Sequence, residues 1–94
     1  MDPKIDGVSR HWYEQGCRMK QAGRLSEAIR AFTQTIHHNT GFAEAYYKRG
    51  ECYYLLGRGQ LAADDLQAAA LLGCKAALLW SRYDIQRVDD IKEP

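Results

Sequence analysis

The sequence predicts an all-α fold: a short α-solenoid in which two antiparallel helix-turn-helix repeats stack and a fifth helix caps them. Three observations predict it. Shifted along itself by 34 residues, the chain superposes Gly16 on Gly50, Gly23 on Gly57, Arg24 on Arg58 and Ala28 on Ala62, and it pairs like with like at Trp12 and Tyr46, Phe32 and Leu66, and Ala43 and Ala77. A period near 34 is the spacing of stacked helical hairpins. Apolar residues also recur at intervals of three and four, the signature of helices with one buried face. Finally, glycines close the periodic runs, where a helix commonly ends in the left-handed conformation.

Taken in order, Trp12, Gly16 and Met19 form one stripe of a first helix between Ser9 and Ala22, with Ser9 as its expected N-cap and Gly23 as its end. Leu25, Ala28, Ile29, Phe32 and Ile36 trace the buried face of a second helix running to about His38, and the connector is short enough to impose an antiparallel pair. Asn39-Thr40-Gly41 breaks the pattern. It returns with Ala43, Tyr46, Gly50 and Tyr53 on a third helix closed by Gly57, then with Leu61, Ala62, Leu66 and Ala69 on a fourth closed by Gly73. A fifth helix is expected from Lys75 to about Val88, carrying Ala77, Leu79, Trp80 and Tyr83. Asp84 and Arg87 stand on it where the earlier units have glycine and an apolar residue, so that face is expected to meet water, as a terminal cap requires. The organisation that follows is one domain over residues 1–94: a loose start at 1–8, repeats at 9–42 and 43–76, a capping helix at 77–90 and a tail at 91–94.

Glycine inside a helix costs about 0.5–1 kcal/mol relative to alanine, so its return at the same point of both units calls for a compensating contact. The stripes set Gly16 opposite Ala28 and Gly50 opposite Ala62, which predicts a close crossing of small residue on small residue. The larger Trp12, Tyr46, Phe32, Leu66 and Ile36 would then fill the space on either side.

The bulk composition excludes several function classes. Thirteen Lys and Arg against twelve Asp and Glu leave a net charge of +1 with no basic stripe, which argues against nucleic acid as a partner. No apolar run is long enough to span a bilayer and the first residues lack the apolar core of a secretory signal, so no membrane partner and a cytoplasmic location are expected. Cys17, Cys52 and Cys74 are odd in number and too widely spaced for a paired metal site or a disulfide framework, and are read as reduced thiols.

Trp12, Gly16, Met19, the run Gly23-Arg24-Leu25-Ser26-Glu27-Ala28-Ile29 and Phe32, echoed by Tyr46, Gly50, Tyr53, Leu56-Gly57-Arg58, Ala62, Leu66 and Ala69, resemble the tetratricopeptide repeat. The resemblance covers two units, and the segment from Ala77 to Val88 resembles the solvating helix that ends such arrays. It departs from the family pattern where the unit-ending proline is replaced by Thr40 and Cys74, and where the leucine before the helix glycine is replaced by Gln15 and Arg49. The resemblance implies a right-handed superhelical course, a non-enzymatic role and a concave groove lined by the first helix of each unit.

On those helices the stripe one residue on from the packed one, about 100° around the axis, reads Tyr13, Cys17 and Lys20, then Tyr47, Glu51 and Tyr54, with Lys48 beside it and Arg82 on the fifth helix. These eight are the candidate partner-binding residues. Tyrosine supplies rigid contact area and a hydroxyl at low entropic cost. The plainer reading makes Tyr13, Tyr47 and Tyr54 packing residues with wetted hydroxyls, and Lys48 and Arg82 solvated charges. A clamp for a partner's C-terminal carboxylate is disfavoured, because only Arg82 matches its pattern.

Other motifs carry less. Gly57-Arg58-Gly59-Gln60-Leu61-Ala62 fits a dinucleotide-binding pattern but follows a helix rather than a strand. His37 and His38 diverge on a helix without a third metal ligand, and Cys17 has no assignable base, so neither a cofactor, a metal nor a catalytic centre is expected. The function expected is an adaptor that binds a segment of a partner protein in the groove. The alternative is a self-assembling module, such as a homodimer, that pairs through an exposed repeat end.

Overall fold

A computed structural model of the protein describes residues 7–79. They form α1 (Gly7–Gln21), α2 (Leu25–His38), α3 (Ala43–Leu55), α4 (Gly59–Leu71) and α5 (Lys75–Leu79), with no strand among the described residues. α1 packs on α2 and α3 on α4 as two hairpins; α2 then packs on α3, and α4 on α5. The expected continuation of the fifth helix to Val88, with Trp80, Arg82, Tyr83, Asp84 and Arg87, lies outside the described residues.

Backbone alone ends the helices at each hairpin turn. Gly23, Gly57 and Gly73 have φ of +80°, +78° and +99°, the left-handed region open to glycine. Each sits in the same motif: the Gly23 N–H donates to the Lys20 carbonyl at 3.0 Å and the Arg24 N–H to Met19 at 2.9 Å, and Gly57 with Arg58 and Gly73 with Cys74 repeat the pair. Helices α2, α3 and α4 begin without a side-chain cap. Ser9 is not a cap either: α1 starts two residues earlier, and Ser9 is a fully buried helical residue in its first turn, whereas a capping residue needs non-helical backbone.

The crossings differ from the small-on-small contact that the stripes predict. A β-carbon added at Gly16 would lie 2.5 Å from Cε1 of Phe32, and one at Gly50 would lie 3.0 Å from Cγ of Leu66. The glycines are notches for large side chains. Phe32 and Leu66 are fully buried in them, and Ala28 and Ala62 are fully buried as well. A ring placed at the crossing uses the space of the missing side chain and removes more apolar surface from water than an alanine could. Of the residues expected beside the crossing, Trp12, Tyr46 and Ile36 are half-buried, and Leu61, expected on the packed face of α4, is exposed.

Two apolar clusters follow from this arrangement. Ala28, Phe32 and Cys52 hold the first repeat against α3; Leu66, Ala69, Cys74 and Ala77 hold the second against α5. Thr35 is buried among them because its hydroxyl donates to the Ala31 carbonyl one turn back, at 3.1 Å.

A polar contact joins the repeats. Arg49 on α3 donates through Nε and Nη2 to both carboxylate oxygens of Asp65 on α4, each at 2.7 Å, and through Nη1 to the Thr33 hydroxyl on α2 at 3.1 Å. One guanidinium therefore ties three helices, with the fork geometry that suits carboxylate. It also accounts for the arginine that stands where the family pattern has leucine.

Gly16→Ala is expected to lower stability by about 1–3 kcal/mol in urea unfolding, since the enclosed Phe32 ring cannot retreat, and Gly50→Ala by less. Asp65→Asn, which leaves a largely buried guanidinium facing a neutral amide, is expected to cost about 2–4 kcal/mol in the same assay.

Candidate functional site

The face on which α1 and α3 run side by side carries the predicted stripe, and the structure gives its members different roles. Tyr13 and Tyr47 are half-buried packing residues. The Tyr13 ring stands 4.9 Å, centroid to centroid, from Phe42 and 5.8 Å from Phe32, and Tyr47 packs on the cluster of Leu66, Ala69, Cys74 and Ala77. Burial, followed by the adjacent Cys17 thiol, pushes the Tyr13 phenol far above its ordinary range, so it is a neutral hydroxyl at any physiological pH. Cys17 is half-exposed beside it.

Lys20 and Glu51, separate candidates in the sequence, meet across the two helices: Lys20 Nζ lies 3.5 Å from Glu51 Oε1. The contact is ionic, and no donor among the described residues hydrogen-bonds that buried oxygen. Lys48 Nζ sits 5.9 Å from the centre of the Tyr47 ring, a cation–π distance. Tyr54 is exposed near the end of α3. Of the eight candidates, three neighbouring pairs are thus brought together, Tyr13 with Cys17, Lys20 with Glu51 and Tyr47 with Lys48; Arg82 lies outside the described residues.

Sequence reasoning missed the residues beneath this face. Phe42, at the N-terminus of α3, is buried against Tyr13. Its signal was a lone aromatic in the connector, between Gly41 and Ala43. Cys52 is fully buried, and burial pushes its thiol up to about 11. Cys74, also buried and also raised chiefly by burial, donates to Glu44 Oε1 at 3.6 Å. A thiol that stays protonated is no nucleophile.

A separate cleft lies elsewhere. It measures about 820 Å³, runs between α1 and α2, and includes Trp12, Gln15, Met19 and Arg30 but none of the eight candidates. Among the described residues no group of His, Cys, Asp and Glu is arranged to hold a metal, and no helix is long and apolar enough to cross a membrane. Gly57 of the dinucleotide-like pattern is the turn that ends α3.

Residues 13–77 match the profile of the tetratricopeptide repeat. The chain is 35% identical over 66 residues to neutrophil cytosol factor 2 of Homo sapiens, covering 70% of this chain and 12% of that protein. It is 36% identical over 64 residues to the Bos taurus protein of the same name, covering 68% of this chain and again 12% of the relative. The similarity therefore concerns a repeat region and spans only a small part of either relative.

Cys52 is expected to resist a thiol reagent at pH 8 in the native protein and to react on unfolding. An unfolded thiol ionises near 9.0 while the folded one holds its proton to about 11, so this residue's contribution is complete below pH 9 and fades as the pH climbs between those values. Urea unfolding should show a loss between pH 8 and pH 10 that Cys52→Ala reduces by about 1 kcal/mol, the remainder coming from the raised Cys74 and Tyr13.

Proposed function

The chain belongs to the tetratricopeptide repeat family, and from that premise we propose that it is a non-enzymatic adaptor which holds a segment of another protein against the face formed by α1 and α3. The observation that carries this reading is the Lys20–Glu51 contact, 3.5 Å across α1 and α3, which sets charged side chains of both helices on one face. Around it, exposed Tyr54 and the Tyr47–Lys48 pair offer aromatic area and a cation. Tyr13 and Cys17 would contribute edges rather than whole side chains.

The Lys20–Glu51 pair also bears on what is bound. Because the two charges offset each other, Lys48 is left to select by charge, which favours a segment with an acidic residue at one end and polar or apolar residues along the rest. A groove two helices wide sustains modest affinity, on the order of micromolar. We propose a cytosolic location, the compartment for which neutrophil cytosol factor 2 is named.

Affinity capture from cell extract, quantified by mass spectrometry, tests the reading by comparing the native sequence with a Tyr47→Ala, Tyr54→Ala double variant and with Gln67→Ala, an exposed change on α4. Partners retained by the control and lost by the double variant are expected. A peptide from such a partner should then shift amide signals at Tyr13, Tyr47, Glu51 and Tyr54, with affinity falling at least about tenfold in the Tyr47→Ala, Tyr54→Ala variant. Shifts confined to other helices would exclude this face.

A further inference from the structure

The cleft between α1 and α2 has a counterpart inside the molecule. Moved on by one repeat, His11, Gln15, Met19 and Ala31, which line the cleft, become Ala45, Arg49, Tyr53 and Asp65. In the second repeat two of these positions meet α2, where Arg49 donates to Thr33 and Tyr53 shares a small groove with Ile29, while Ala45 is fully buried and Asp65 holds Arg49. The same surface therefore exists twice. In the second repeat a helix sits on it; in the first it is an open seat of about 820 Å³.

The residues exchanged between the two versions are informative. Where the covered seat has the Arg49–Asp65 ion pair, the open one has Gln15 and Ala31, with Trp12, Met19 and Ile29 alongside. The open seat is thus nearly free of charge at its floor and cheap to desolvate, unlike a surface that keeps a salt bridge in water. Its charges are at the rim. Glu27 and Arg30 are exposed and lie one turn apart on α2, one of each sign; Glu27 also stands 4.0 Å from Arg24, an exposed pair that water screens.

We propose that this seat is an isologous dimer interface, filled in solution by the same face of a second copy. Unlike the contact that joins the two repeats, which sets α2 on the different surface of α3, this one would set the seat against its own copy across a two-fold axis, with Trp12 as its aromatic anchor. Two antiparallel α2 helices set Glu27 of each copy against Arg30 of the other, so the face is complementary to itself; a face of a single sign would repel its copy. The surface is distinct from the α1–α3 face, so the two can be occupied together.

Sedimentation of the whole chain over a wide concentration range tests this. The mass is expected to rise from 10.7 kDa toward twice that value. Arg30→Glu and Glu27→Arg, each placing like charges opposite one another twice, should each weaken association at least about tenfold. The double exchange Glu27→Arg with Arg30→Glu should restore it. Both side chains are exposed, so folding should persist, which circular dichroism checks. A mass of 10.7 kDa at every concentration, a dimer untouched by either single change, or a double exchange that fails to restore association would each overturn the proposal. Tyr47→Ala with Tyr54→Ala should leave the dimer intact, which separates this result from any failure of the peptide-binding reading.

Discussion

Phe32 and Leu66 each occupy the space that a β-carbon would take on the facing helix, and the rest of the architecture is arranged around that intrusion. With glycine at 16 and 50, the paired helices lie close enough for a fully buried ring or isobutyl group to sit at the crossing itself. In a chain this small the area removed from water is scarce, and concentrating it at two points is an efficient use of it. Alanines at 28, 45, 62, 69 and 77, each with no exposed surface, let neighbouring helices close around those points. Every later feature, including the alignment of α1 beside α3, depends on the hairpins being this narrow.

Much of this was legible in the sequence, because a repeat states its pattern twice. The positions of the helices, the three terminating glycines and the pairing of consecutive helices all follow from periodicity and offset. What the helical stripes could not convey was which large residue enters which notch: a stripe names a face, and the partner depends on how far each helix slides along its neighbour. Hence Gly16 was matched to Ala28 where it receives Phe32. Ser9 was read as a cap because its side chain suits one, yet the helix begins before it and the residue is buried within the first turn.

The candidate site was legible to a different degree. A rule of one residue on from the packed stripe drew residues on the face where α1 and α3 meet, but could not tell which of them the fold consumes. Tyr13 and Tyr47 turn inward because Phe42 and the second cluster offer them apolar neighbours. Lys20 and Glu51 are 31 positions apart in the chain, and only the side-by-side course of α1 and α3 makes them a pair. The open seat on the first hairpin was anticipated only as an exposed repeat end; its shape emerges when the covered version in the second repeat is laid over it.

The guanidinium shared by Thr33 and Asp65 has an implication beyond cohesion. Its two anchoring positions, 49 and 65, hold a glutamine and an alanine one repeat earlier, so the hairpins are alike in outline but not interchangeable. A chain built from two copies of the first hairpin would keep its helices and lose the bond between them; one built from two copies of the second would place an arginine and an aspartate where the surface now carries a glutamine and an alanine. Each hairpin thus carries an address written in a pair of side chains, and the order of the modules is encoded separately from their shape.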